Sequence, residues 1–158
     1  MNNLLIREAV LDDLEQLLVY EQALIIAERP FDPTIRKPPV TYYDLKELIV
    51  SKEARVVLAE VDGRIVSTGY GIAKRGRHYL DHDWYAYLGF MFTEPAYRGI
   101  GINGKIITEL KEWARSKGLY EVRLTVYEDN APAITAYEKV GFKKHIVEMR
   151  LRLNDHES

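Results

Sequence analysis

The run Phe92-Thr93-Glu94-Pro95-Ala96-Tyr97-Arg98-Gly99-Ile100-Gly101-Ile102-Asn103-Gly104-Lys105 joins an apolar strand end to a glycine-rich turn and the start of an amphipathic helix. Glycine lets the backbone approach a ligand closely, and a helix N-terminus presents unpaired N–H groups with a partial positive charge. Together they make a phosphate or pyrophosphate cradle, and Arg98 adds a full positive charge at its mouth. Gly99, Gly101 and Gly104 formally match the dinucleotide fingerprint. In that fingerprint, however, the first glycine follows its strand almost directly. Here six residues, Pro95 and Arg98 among them, separate Phe92 from Gly99. A Walker-type loop is excluded because Gly104-Lys105 is followed by Ile106 rather than Ser or Thr.

Working outward, Trp84–Thr93 reads as a strand with Ala86, Leu88, Phe90 and Phe92 on one face. Gly99–Lys117 reads as a helix whose stripe is Ile102, Ile106, Leu110, Trp113 and Ala114. Towards the N-terminus, Leu4–Ala9 is a strand and Asp12–Glu28 a helix carrying Leu14, Leu17, Leu18 and Ile25. Four prolines make Arg29–Val40 an ordered loop. Thr41 with Asp44 starts a second helix to about Ser51. Asp62-Gly63 between the apolar runs Arg55–Val61 and Arg64–Lys74 signals a hairpin. Towards the C-terminus, Glu121–Tyr127 is a strand, Pro132–Val140 a short helix and Phe142–Leu153 a last strand, before a polar tail at 154–158. The order βααβββαβαβ predicts one α+β domain over 1–158, a mixed, mostly antiparallel sheet flanked by helices.

Composition bounds the function. Lys plus Arg number 22 against 24 Asp plus Glu, a net charge of −2, so nucleic acid is not an expected partner. The chain has no cysteine, which excludes disulfides and thiolate chemistry. No apolar run reaches the length of a membrane helix and no signal peptide is read, so no membrane partner and a cytoplasmic location are expected. His78, Asp81, His82 and Asp83 share one polar loop without helical register, so no metal is expected.

With these residues in place, the chain resembles the GCN5-related N-acetyltransferase (GNAT) superfamily. Its pyrophosphate signature, Arg/Gln-x-x-Gly-x-Gly/Ala after a long strand, reads here Arg98-Gly99-Ile100-Gly101-Ile102-Asn103. A second family motif reads Asn130-Ala131-Pro132-Ala133-Ile134-Thr135-Ala136-Tyr137, closing on Gly141-Phe142. The resemblance implies acetyl-CoA as donor and co-substrate, and direct transfer of its acetyl group to a primary amine of a small molecule or peptide. It implies that the backbone of Gly99, Ile100, Gly101, Ile102, Asn103 and Gly104, with Arg98, holds the pyrophosphate. It also implies that Phe90-Met91-Phe92 pairs with the pantetheine arm, and that the Phe92 N–H meets the thioester oxygen. Asn130 would contact the cofactor arm, and Tyr137 would protonate the leaving thiolate.

Two positions depart from the family pattern. Asn103 stands where the signature has Gly or Ala, which implies a weaker or shifted phosphate contact. Family members with an assigned base often carry Glu or His at the strand places held here by Ala86 and Leu88. A base would then come from His82, Asp83 or Glu94, or water would carry the proton. A non-catalytic acyl-CoA-binding or sensing module is the alternative this leaves. Residues 1–54 hold ten acidic and six basic side chains, and Glu21, Glu28, Asp32 and Asp44 are candidates for meeting a cationic amine. The single terminal strand leaves a sheet edge that a homodimer would complete.

Overall fold

The computed structural model describes residues 3–154, so 155–158 of the expected tail lie outside the described residues. Its contacts divide into two compact units, 1–127 and 128–158, taken here in turn.

The first unit is built on a five-stranded sheet: β1 (Leu4–Glu8), β2 (Ala54–Val61), β3 (Arg64–Arg75), β4 (Trp84–Thr93) and β5 (Val122–Arg123), in that spatial order. The first four strands are antiparallel neighbours, and β5 runs parallel to β4. The mixed, mostly antiparallel α+β architecture is the expected one. Asp62 and Gly63 both take left-handed backbone, φ 52° and 80°, the geometry of a tight hairpin turn.

Helices cover both faces. On one, α1 (Leu14–Glu28) and α2 (Leu45–Val50) close a core of Leu17, Tyr20, Leu45, Leu58, Tyr70, Phe90 and Phe92. On the other, α3 (Ile102–Ser116) buries Ile102, Ile106, Leu110, Trp113 and Ala114, the full predicted stripe, and Ile107. Full burial of each such side chain contributes roughly 1.5–3 kcal/mol. Close approach of α3 to β3 requires glycine there. A Cβ on Gly69 would lie 2.7 Å from Ile106 Cγ2, and one on Gly71 2.8 Å from the Trp113 ring.

Several boundaries differ from expectation. Leu18 is exposed although its spacing matches the buried Leu17. Helix α2 starts at Leu45, four residues after Thr41, because Asp44 is the cap: its carboxylate accepts from Glu47 N at 3.1 Å. Helix α3 begins at Ile102 rather than Gly99, since Gly99 and Gly101 are left-handed and cannot continue a right-handed helix. The most consequential difference lies in β4. Ala86 packs with Trp113 on the α3 face, and a Cβ on Gly71 would meet both the Trp113 ring and Leu88 Cδ2, whereas Phe90 and Phe92 sit in the α1–α2 core. The register explains this. Tyr70 pairs with Gly89 but Thr68 with Phe92, so β4 carries one extra residue, and Phe90 takes φ 54°. A one-residue bulge moves every later side chain to the other face.

In the second unit, α4 (Ala131–Lys139) is capped by Asn130, whose Oδ1 accepts from Ala133 N at 3.3 Å. Gly141 follows at φ 106°. Residues 143–154 carry no regular secondary structure, so the expected last strand is absent among the described residues. Alternating apolarity gives a strand its faces, but only a ladder partner makes it a strand. No helix among the described residues is long and apolar enough to cross a membrane.

Candidate active site

Strand β4 leads through the single turn Pro95–Tyr97 to the glycine loop. Arg98 Nε donates to the Thr93 carbonyl at 2.8 Å, and its guanidinium lies 5.9 Å from the Phe92 ring centre. The loop's cation is thus folded back onto the end of β4. Gly99 and Gly101 stand at φ 77° and 88°, and a Cβ on either would meet nothing within 4 Å. Glycine is needed there for backbone conformation, and the space beside it is open to a ligand. Lys105 N donates to Gly101 O, closing the first turn of α3, and the amides of Ile102, Asn103 and Gly104 precede it. Gly101 has no side chain to cap them. This arrangement suits an anion carrying several oxygens.

The second feature is the parting of β4 from β5. Their pairing is limited to Ala86–Val122 and Tyr87–Arg123, with Ala86 N donating to Glu121 O at 2.8 Å. Beyond it, the Tyr87 hydroxyl still meets Thr125 Oγ1 at 2.7 Å, while β4 runs on to Thr93. On the other side Glu94 N donates to Val66 O, in the same register that pairs Phe92 with Thr68. Ladder alternation therefore turns the Phe92 amide towards β3 and those of Met91 and Thr93 away from it. The Phe92 carbonyl accepts from the Ser67 hydroxyl at 3.0 Å. The strand amides that point into the parting are those of Met91 and Thr93, and Met91 lies one residue before the one read from sequence.

Residues 21–142 match the Acetyltransferase (GNAT) family. This chain belongs to that family. It is 45% identical over 61 residues to a glucosamine 6-phosphate N-acetyltransferase of Trypanosoma brucei brucei, a match spanning 39% of this chain and 40% of that protein. It is 40% identical over 55 residues to a thialysine N-epsilon-acetyltransferase of Sus scrofa, spanning 35% of this chain and 32% of that one. The matched stretches thus cover well under half of either relative. Over 97% of its length the chain superposes on 98% of a Clostridium acetobutylicum protein described as a "predicted acetyltransferase with acetyl-CoA", with a TM-score of 0.74 and 20% identity.

Within this GNAT domain the residues read from sequence fall into two groups. Phe90, Met91, Phe92, Arg98, Gly99, Ile100, Gly101, Ile102, Asn103 and Gly104 form one continuous strand–loop–helix segment of the first unit. Asn130 and Tyr137 belong to the second unit, at the start and in the last turn of α4. Tyr137 is half-buried, and its ring meets Phe142 edge-on with centres 6.0 Å apart.

Two of the three candidate bases are engaged. Glu94 takes Arg64 at 2.7 Å. His82 contacts Asp81 through Nδ1 and Arg123 through Nε2, both at 2.8 Å. Asp83 lies in the loop before β4. Ala86 and Leu88 are buried against the α3 side and supply no titratable group.

The acidic candidates for the amine also separate. Glu21 is fully buried and accepts the amides of Tyr42 and Tyr43 at 2.8 and 2.7 Å, so it holds the chain between α1 and α2. Asp44 is the α2 cap. Asp32 accepts from Thr34 and lines a cleft of about 330 Å³ with Ile35, Arg36, Val40, Tyr42 and Tyr127. Beside Tyr42, burial raises the pKa of the Glu28 carboxyl, and the hydrogen bond from Tyr42 opposes that shift. The proline-rich loop thus contributes a cleft wall, which its composition alone did not reveal.

Proposed function

We propose that this chain is an acetyl-CoA-dependent N-acetyltransferase that moves the acetyl group directly to a primary amine of a small molecule or peptide. The observation that carries the reading is the joint presence, in one GNAT domain, of the open glycine loop and the bulged strand whose Met91 amide turns into the β4–β5 parting. In this reading the loop amides and Arg98 bind the pyrophosphate. The β4 edge lies along the pantetheine arm, and the Met91 N–H stabilises the oxyanion formed as the amine attacks the thioester carbonyl. The C–N bond forms as the C–S bond breaks, and Tyr137 gives its phenolic proton to the departing thiolate. The amine proton passes to water, and solvent returns a proton to the Tyr137 phenolate. The cleft at Asp32 and Tyr127 is the acceptor side, and its mixed charge suits a polar amine.

Two observations favour a second reading, an acyl-CoA sensor without turnover: the apolar Ala86 and Leu88, and the engagement of Glu94 by Arg64 and of His82 by Asp81 and Arg123. Two assays in sequence separate the readings. Thermal shift with acetyl-CoA, NAD and ATP tests the donor, since a ligand at 100 times its Kd adds about 2.7 kcal/mol. Thiol release with an amine panel that includes thialysine and glucosamine 6-phosphate then tests turnover. Stabilisation by acetyl-CoA with no thiol released from any amine selects the sensor. Equal stabilisation by NAD removes both readings. The proposal includes a cytoplasmic homodimer, supported by the alternating Val147, Met149, Leu151 and Leu153, which form no ladder among the described residues. A monomeric mass by light scattering removes the dimer.

A further inference from the structure

We infer that the hydroxyls of Tyr43 and Thr68 are positioning groups for acetyl transfer: together they hold the β4 bulge at Phe90 and so aim the neighbouring Met91 amide. The inference rests on the function proposed above.

Phe90 is 1% exposed and left-handed, a backbone state that L-residues with large side chains rarely hold without support. Its amide donates to the Tyr43 hydroxyl at 3.2 Å, and its carbonyl accepts from Thr68 Oγ1 at 2.8 Å. Both backbone polar groups of the bulged residue are therefore satisfied by side chains, in a core where an unpaired group would be costly. The supports are themselves fixed. Thr68 is fully buried on β3. The Tyr43 ring packs against Phe90 and Tyr70, with centres 5.5 and 5.3 Å away, and Glu21 holds the Tyr43 backbone amide. Burial also drives the Tyr43 pKa upward, so the group stays a hydroxyl at every working pH. A regular β4 would carry no left-handed residue at 90, and the amide at 91 would alternate differently. The two hydroxyls thus select the strand conformation from which Met91 N–H reaches the thioester oxygen.

The test uses the full chain with [1-13C]acetyl-CoA, because a hydrogen bond to the thioester oxygen displaces the carbonyl resonance downfield. The parent should show the displacement. Tyr43→Phe keeps the ring and should lose about half of the displacement or more, while the Kd for CoA stays within about twofold. A purely structural role would lower the melting temperature and leave the displacement of the bound ligand unchanged, and that result overturns the inference. If Tyr43→Phe does not fold, Thr68→Val is read by the same criterion. A parent that binds acetyl-CoA without any displacement also overturns it. A parent that binds neither acetyl-CoA nor CoA removes the proposed function itself.

Discussion

Arg98 and Thr93 are tied by a 2.8 Å hydrogen bond from the guanidinium Nε to the strand-end carbonyl. The bond engages Nε, and in the proposed reading the two Nη groups meet the pyrophosphate. Arg98→Lys keeps the charge but loses both the tie and the planar fork. Its CoA affinity should fall about three- to tenfold, and that of Arg98→Ala further, by calorimetry at fixed salt. A Kd unchanged in Arg98→Lys would show that charge alone is used.

Gly101 holds φ 88° with open space around its Cα. Gly101→Ala therefore meets backbone strain rather than a clash, about 1–2 kcal/mol. If the loop relieves it by turning over, the first-turn amides leave their positions. CoA binding should weaken at least tenfold, about 1.4 kcal/mol, with the circular dichroism spectrum retained. Parent-like affinity in the folded variant would count against this loop as the cradle.

Tyr137 packs edge-on against Phe142, a contact that phenylalanine can keep. If its hydroxyl protonates the thiolate, Tyr137→Phe should lower kcat roughly 10²- to 10⁴-fold. KM for acetyl-CoA should barely move, since the lost interaction belongs to the transition state. Turnover near the parent value, with acyl transfer shown to limit the rate, would leave Tyr137 a packing residue.

Asp13 receives two 2.8 Å bonds from Arg7, which also reaches Glu60 at 2.9 Å. The Arg7 guanidinium lowers the pKa of the Asp13 carboxyl. A folded-state pKa below the unfolded one contributes stability above the ordinary carboxylate range, lost as pH falls through the folded value. At neutral pH, Asp13→Asn should cost about 1–3 kcal/mol in urea unfolding. The gap to the parent should narrow as pH falls below the ordinary carboxylate range, where the parent too becomes protonated. An equal gap at neutral and acid pH would assign the cost to packing.

What the sequence determined is local. The paired left-handed residues Asp62 and Gly63 make the hairpin with few other solutions. The α3 stripe buries as read, because helical spacing alone decides which side chains share a face. The glycine loop keeps its place between strand and helix, since Gly99 and Gly101 are needed wherever the backbone turns left-handed. Tertiary structure decided the rest. Period-2 alternation put Ala86, Leu88, Phe90 and Phe92 on one face, and the bulge moved Phe90 and Phe92 to the opposite one. Tyr43 lies 47 residues from Phe90, and Glu21 lies 22 from Tyr43, so no local pattern could pair them. The alternation of Phe142–Leu153 was legible, but its ladder was not. Periodicity is a property of neighbours along the chain; partners for buried polar groups and strand edges come from segments that only folding brings together.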